Sequence, residues 1–292
     1  MAAVVLSACT AGATEAPDLA AVSADKVADE VFQADDIDLI ESVRNGLIAD
    51  CMAGQGYPQL KQAGVPQDAK PFTDMNVQTP PFAIRTDEQA TLLGFGENSR
   101  PKVANVLSYD RGFDARLKKC QNKAEDKLGH EFSEVQNQSY QLYNDVADER
   151  DVLLKSPEEA EVTAAALRPL LECVEAAGFR QMVSGARTLD SFGIGLPRGR
   201  YEGTEPPEPK RLPGTVEIIP AIPERRYVPT AEESRLAVAS ARCARTTGFG
   251  DKIAAQRVRI LRKVVGGHGS QIAELKPKVE ALAKAAAKLA ER

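Results

Sequence analysis

Residues 243–249 read CARTTGF, and the same arrangement occurs twice more, as CMAGQGY at 51–57 and CVEAAGF at 173–179. All three stretches fit the pattern Cys-x4-Gly-aromatic. Glycine at a helix end adopts the left-handed conformation more easily than other residues, and the residue after it can fold back onto the last turn. Each stretch therefore predicts the end of a helix, with its Cys one turn inside.

The sequence around these stretches has helical periodicity. Ile40, Val43, Leu47 and Cys51 share one face. Ser156 and Thr230 each precede a helix with Glu three residues later, which predicts two capping boxes. We predict a mainly α protein with two diverged helical halves, each stapled by a disulfide and joined to a C-terminal helix. The predicted boundaries are 1–9 for a signal or lipobox remnant, 10–35 for a flexible tether, 36–155 and 156–265 for the halves, and 270–292 for the C-terminal helix.

The cysteine count supports this division. Apart from Cys9, the cysteines are Cys51, Cys120, Cys173 and Cys243. An even number is typical of an oxidising compartment. Four cysteines allow three pairings, and we predict Cys51–Cys120 and Cys173–Cys243 because each bridge then closes one half. Pairing across the halves is the alternative, since those separations also match each other.

Both halves also contain a polar patch that leads into a Gly-x-Gly turn. The first half has RTD at 85–87 and GFG at 94–96, and the second has RTLD at 187–190 and GIG at 193–195. This order predicts a diverged duplication, and chance reuse of helix-stop chemistry is the alternative. Proline marks two segments as non-helical, 65–100 and 197–229, with one short strand at 216–219.

The C-terminal segment carries apolar residues at helical spacing, namely Ile272, Leu275, Val279, Leu282 and Leu289. Because isolated helices of this length are marginally stable, we expect this face to dock on the protein's own body. The helix at 132–146 is the expected partner, and Pro277 predicts a bend or a new helix start. The competing interpretation is a free basic helix on anionic envelope polymers.

The N-terminal residues predict the location of the protein in the cell. Residues 6–9 read LSAC, which resembles the lipobox of bacterial lipoproteins, in which the cysteine is acylated, with palmitate for example. Only eight residues precede Cys9 and none is basic, so we expect the signal to begin further upstream. A cytoplasmic N-terminus with a chance LSAC is the alternative.

Composition narrows the possible functions. The net charge of −5 gives no overall basic field for nucleic acid, and two His among 292 residues leave no room for a multi-His metal site. Charge is nevertheless uneven. Residues 1–50 hold 10 acidic and 2 basic side chains, whereas 251–292 hold 4 acidic and 10 basic. Either the two ends attract each other or the basic end faces an anionic surface; an ordinary solvated face is the simpler alternative.

Taken together, the lipobox, the Cys-x4-Gly-aromatic units and the Gly-x-Gly turns resemble uncharacterised secreted lipoproteins of actinobacteria. The most similar stretch is SRLAVASARCARTTGF at 234–249. No activity is assigned to that family, so the resemblance implies location and architecture and supplies no catalytic residue.

We therefore expect a lipid-anchored lipoprotein on the extracytoplasmic face of the cell membrane, with a non-enzymatic binding or structural role. Its partners would be the membrane, through Cys9, and an envelope polymer or protein. No cofactor, metal or catalytic residue is predicted. The alternative is an envelope-associated hydrolase whose site is assembled from distant residues.

Overall fold

The structure is a computed structural model that describes residues 26–61, 70–77, 79–102, 104–182, 188–193, 195–203, 208 and 210–291. It is mainly helical, as predicted. The helices are α1 (Val27–Phe32), α2 (Ala34–Gly54), α3 (Pro81–Ile84), α4 (Asp87–Leu93), α5 (Arg111–Leu128), α6 (Phe132–Leu154), α7 (Pro157–Ala176), α8 (Ala231–Thr247), α9 (Phe249–Gly267) and α10 (Gly269–Ala290). Short 3-10 turns lie at Pro58–Lys61, Thr73–Met75 and Leu189–Phe192.

Four short strands form two antiparallel pairs. Strand β1 (Asn105–Ser108) pairs with β3 (Val216–Ile219), and β2 (Arg200–Tyr201) pairs with β4 (Tyr227–Val228). The strand predicted at 216–219 is confirmed. The expectation that 65–100 is non-helical is wrong for α3 and α4. Pro81 occupies the first turn of α3, where a missing N–H costs nothing, and Thr86 with Gln89 forms a full capping box for α4.

Both predicted disulfides are present. Cys51–Cys120 joins α2 to α5, and Cys173–Cys243 joins α7 to α8, each with a Cα–Cα distance of 5.6 Å. All three motifs end a helix, as predicted, and at two of them the residue after the glycine also folds back onto the last turn. Tyr57 N–H donates to the Met52 carbonyl and Phe179 N–H to that of Val174, each after a glycine with positive φ. At the third motif Gly248 also has positive φ, but α9 starts at once.

The largest apolar core unites the two ends of the described chain. It is formed by α1, α2, α6, the last turns of α9, and α10, with Phe132, Val146 and Val264 fully buried. A second core surrounds α7 and α8, and a smaller one lies where α2 meets α5. The predicted boundary at 155/156 does not separate these cores, because Ile260, Leu261, Val264 and Val265 lie in the first core while α3 and α4 pack on α8.

The tether prediction is wrong for residues 26–35. Helix α1 and the start of α2 lie in this range, and Val27, Val31 and Phe32 are buried against the first core. Phe32 contacts the ring of Phe72 with centroids 5.7 Å apart. Apolar burial therefore outweighs the acidic composition that suggested a solvated tether. Residues 10–25 lie outside the described part of the chain.

Helix α10 docks on the body of the protein, as predicted, but its main partner is different. Its apolar face packs more extensively on α2 than on α6, and Leu289 is only partly buried. Pro277 lies inside a continuous helix and starts no new one. Lys284 and Lys288 are exposed, whereas Lys278 is half-buried and donates to Glu274 at 2.9 Å. The two ends of opposite charge thus meet through apolar side chains.

Candidate functional site

A buried carboxylate lies between the GFG turn at 94–96 and the segment that contains Gly199. Glu233 is the third residue of α8 and is 2% exposed. Its backbone N–H is capped by Thr230, as predicted, but its side chain does not turn back to complete a capping box. The carboxylate instead accepts from the N–H of Phe95 at 3.1 Å, the N–H of Gly199 at 2.6 Å and the hydroxyl of Tyr227 at 3.0 Å. Glu233 therefore joins one connecting segment of each half to α8.

Three glycines allow the backbone to approach this carboxylate. A Cβ on Gly96 would lie 2.4 Å from the ring of Tyr227, and one on Gly199 would lie 2.4 Å from the carbonyl oxygen of Val228. Gly94 has a φ of +55°, and a Cβ there would lie 2.7 Å from Glu233 Oε1. The predicted GFG turn at 94–96 thus has a packing reason. In the second half the glycine pressed against this cluster is Gly199.

The polar patch at 85–87 docks on the same helix through arginines. Arg85 is 7% exposed and donates to the carbonyl oxygens of Gly94 and Gly96. Arg245 of α8 donates in turn to the Arg85 carbonyl and to Asp87. Hydrogen bonds from Arg245 and then Arg242 lower the pKa of Asp87. These contacts hold the segment in place.

The hydrogen bonds that Glu233 accepts from Phe95, Gly199 and Tyr227 have a structural role. Both carboxylate oxygens accept hydrogen bonds from groups of the protein, and the side chain is closed off from solvent. Burial and the hydrogen bond to Glu233 raise the pKa of Tyr227, so this hydroxyl stays protonated and keeps donating. An arrangement in which every partner is satisfied adds rigidity and leaves no open position for a reacting group.

A cleft of about 540 Å³ with a partly polar lining lies between the turn at 73–77 and the helices α6 and α9. We name it the arginine cleft. Its lining consists of Thr73, Asp74, Met75, Asn76, Val77, Arg100, Arg150, Asp151, Leu154, Arg257 and Leu261. A volume of this size is typical of small-molecule sites, which combine an apolar wall with a few placed polar groups.

Arg150 is fixed on the wall of this cleft by its neighbours. Its guanidinium donates to Asp151 Oδ1 at 3.1 Å and to the Asp74 carbonyl at 3.2 Å. Tyr143 donates its hydroxyl to the carboxylate of Asp74 at 2.8 Å. Burial, followed by this hydrogen bond, raises the pKa of Tyr143 to about 12. The two carboxylates of the cleft are therefore committed to neighbouring donors.

Two other cavities have simpler linings. A groove of about 430 Å³ runs beside the second disulfide and is lined by Phe179, Val238, Arg235 and Arg242, among others. A groove of about 260 Å³ lies between α6 and α10, with glutamines and acidic residues at its edge. Among the described residues, no three His, Cys, Asp or Glu side chains are placed to hold a metal ion together.

The sequence-predicted site residues fall into separate places. Cys9, the predicted lipidation site, lies outside the described residues, and the four remaining cysteines form the two disulfides. None of the described helices has the length and hydropathy needed to cross a membrane. The histidines stand apart: the side chain of His130 is 95% exposed, and His268 joins α9 to α10 while contacting Gln271 and Glu149.

Sequence reasoning did not identify Glu233, Arg85, Tyr227 or the arginine cleft. The available signal is the Glu at the third helical position, which predicts a capping box after both Ser156 and Thr230. At Ser156 as well, the glutamate is used elsewhere, because Glu159 accepts from Gln256 and Arg259 of α9. The residues that line the arginine cleft come from segments far apart in the chain, so no local sequence pattern links them.

Comparison of the chain with protein families, with curated proteins and with solved structures finds no match.

Proposed function

We propose that this chain is a membrane-anchored extracytoplasmic lipoprotein with a non-enzymatic binding or structural role at the cell envelope. The observation that carries the proposal is the pairing of all four cysteines other than Cys9, two by two, within the halves. Disulfides persist in oxidising compartments and are rare in the cytosol of most organisms. The bridges thus favour a location outside the cytoplasm.

The anchor rests on the sequence at residues 6–9. In LSAC, an aliphatic residue and two small residues precede the cysteine that lipoproteins acylate. Each buried methylene of an acyl chain contributes about 0.8 kcal/mol, so several chains hold a protein on a bilayer where one is marginal. Sixteen residues separate Cys9 from the first described residue, Lys26.

The state of the carboxylates favours binding over catalysis. A hydrolase would use converging carboxyl groups as acid and base, each within reach of substrate. Here Asp74 and Asp151 pair with Arg150 or accept from Tyr143, and Glu233 is closed off by its donors. The arginine cleft is the cavity we assign to a ligand, and an envelope polymer or protein is the proposed class of partner for the body as a whole.

Detergent partitioning tests the anchor. The chain is expressed behind a complete lipoprotein signal that ends in Leu6-Ser7-Ala8, in a host that acylates lipoproteins. We expect the protein in the detergent phase, and Cys9→Ala should move it to the aqueous phase. Ser7→Ala is the matched control, because it keeps a small residue in the lipobox and should leave partitioning unchanged. An unacylated protein in the cytosol, or a Cys9→Ala variant that remains in the detergent phase, would refute the proposal.

A further inference from the structure

Helix α5 concentrates positive charge in a chain whose net charge is −5. Its residues Arg111–Leu128 contain six basic and three acidic side chains, a net charge of +3. The helices α2 and α6, which both contact α5, each contain one basic and five acidic side chains, a net charge of −4. All six basic residues of α5 are exposed, namely Arg111, Arg116, Lys118, Lys119, Lys123 and Lys127.

Four of these residues form a continuous row along the helix. Arg116, Lys119, Lys123 and Lys127 follow one another at spacings of three, four and four residues. Side chains three or four apart on a helix are neighbours, with Cβ atoms about 5–6 Å from each other. With a rise of about 1.5 Å per residue, the row extends over roughly 16 Å of the helix axis. We name it the basic row.

The body of the protein fixes the row without neutralising it. Arg116 lies at one end, where it donates to the Tyr57 hydroxyl at 2.6 Å and stacks over the Tyr57 ring. Glu125, on the other side of α5, accepts from Arg44 at 2.7 Å. Within the part of the chain that the structure describes, Lys119, Lys123 and Lys127 form no hydrogen bond or ion pair. Their three ammonium groups are therefore open to a partner.

The shape of this surface favours an extended partner. The basic row lies on the exposed side of a docked helix, and none of the cavities described above is lined by a residue of α5. Three of its four members are lysines, which are flexible point charges and lack the planar fork that selects a single oxyanion. Such a row suits a surface with many mobile negative groups. Anionic phospholipids form such a surface, and each Lys or Arg near it adds to the attraction.

We propose that the basic row lies on anionic phospholipid head groups, so that the α5 side of the body faces the membrane. This inference rests on the proposed membrane location and extends it, because it assigns a contact surface and an orientation to the anchored body. A basic patch is also the usual second signal that strengthens a lipid anchor.

Co-sedimentation with vesicles tests the proposal on the full chain carrying Cys9→Ala, so that no acyl chain contributes. We expect binding to vesicles that contain about one third phosphatidylglycerol in phosphatidylcholine, and at least about tenfold weaker binding to phosphatidylcholine alone. Raising the salt concentration from about 0.05 M to about 0.5 M should release the protein, because the exposed charges are then screened.

A triple variant of α5 locates the contact surface. Lys119→Gln/Lys123→Gln/Lys127→Gln should weaken binding to the anionic vesicles at least about tenfold, since each basic residue near such a surface contributes roughly fivefold. Glutamine has nearly the helix propensity of lysine, so the helix should be kept. Lys119→Arg/Lys123→Arg/Lys127→Arg keeps the charge and should bind within about twofold of the parent protein.

The matched control removes the same charge elsewhere. Lys155, Lys252 and Lys263 are exposed lysines at the end of α6 and on α9. The variant Lys155→Gln/Lys252→Gln/Lys263→Gln has the same net charge as the glutamine variant of the basic row. Its binding should stay within about twofold of the parent protein, because these positions lie outside the contact surface.

Four results would overturn the proposal: no binding to the anionic vesicles, equal binding to phosphatidylcholine alone, equal losses from the two glutamine variants, or binding of long-chain polyphosphate through the basic row without binding to vesicles. The last result would assign the row to a soluble polyanion. The protein in these assays carries no acyl chain, so failure here leaves the detergent partitioning of the acylated protein as a separate test of the anchor.

Discussion

The two disulfide-bridged units have the same covalent plan and different surroundings. Cys51–Cys120 and Cys173–Cys243 close loops with sequence separations of 69 and 70, and both have a Cα–Cα distance of 5.6 Å. Among the residues that the structure describes, five buried ones form the core at the first bridge, whereas eleven form the core at the second. The first unit therefore relies more on its bridge, and the second has apolar packing to support it.

The connecting segments account for this difference. The segment between Cys51 and Cys120 sends α3 and α4 to pack on α8, so it adds to the core of the second unit. The second unit adds less to the core of the first. The segment between Cys173 and Cys243 supplies only strand β3, which pairs with β1 beside α5. Similar motifs thus specify the ends of helices, while the destination of the connecting segments decides how well each unit is packed.

The largest expected effect comes from removing one bridge at a time. In the chain-entropy model, a loop of about 70 residues gives roughly 4 kcal/mol, so the double variants Cys51→Ser/Cys120→Ser and Cys173→Ser/Cys243→Ser should lose similar free energies of unfolding in urea. Hydrogen exchange should separate them. We expect amide protection in α5 to fall when the first bridge is absent, and protection in α7 and α8 to persist without the second. Equal losses of amide protection around both bridges would mean that the difference in core packing does not affect local stability.

The second prediction compares Glu233 and Glu159, two glutamates that occupy the third position of their helices. Glu233→Ala removes the acceptor of two backbone N–H groups and the Tyr227 hydroxyl in a buried site, and should lower the free energy of unfolding by about 3 kcal/mol. Glu159→Ala is the matched control. It also lies three residues after an N-cap and accepts from Gln256 and Arg259 of α9. Arg259 is solvent-exposed, and Gln256 also donates to the Glu159 carbonyl, which the variant keeps, so the loss should be smaller. Urea titration of both variants checks this, and similar losses would contradict the assigned role of Glu233.

Local chemistry explains which features the sequence predicts. The disulfide pairing, the helix ends at Gly56 and Gly178, the N-caps Ser156 and Thr230, and strand β3 all follow from residues close in sequence or from a count. The feature missed most clearly is α1. Its six residues are too few for a reliable periodicity, and its acidic neighbours resemble a tether.

The remaining misses share one physical cause. A glutamate in the first turn of a helix can cap that helix or reach a distant partner, and its own sequence neighbourhood is the same in both cases. Glu233 and Glu159 both take the distant partner because the tertiary fold brings donors to them. The arginine cleft has the same origin, since Arg100, Arg150 and Arg257 line one cavity only after folding.

The most direct test is the redox state and pairing of the cysteines in the protein as it occurs in cells. Envelopes are collected with a thiol-blocking reagent present, and the protein is digested without reduction and mapped by mass spectrometry. We predict peptides that link Cys51 to Cys120 and Cys173 to Cys243, with no blocking group on any of the four. Four blocked thiols would contradict the oxidising location, and a peptide that links Cys51 to Cys173 would contradict the two-unit architecture itself.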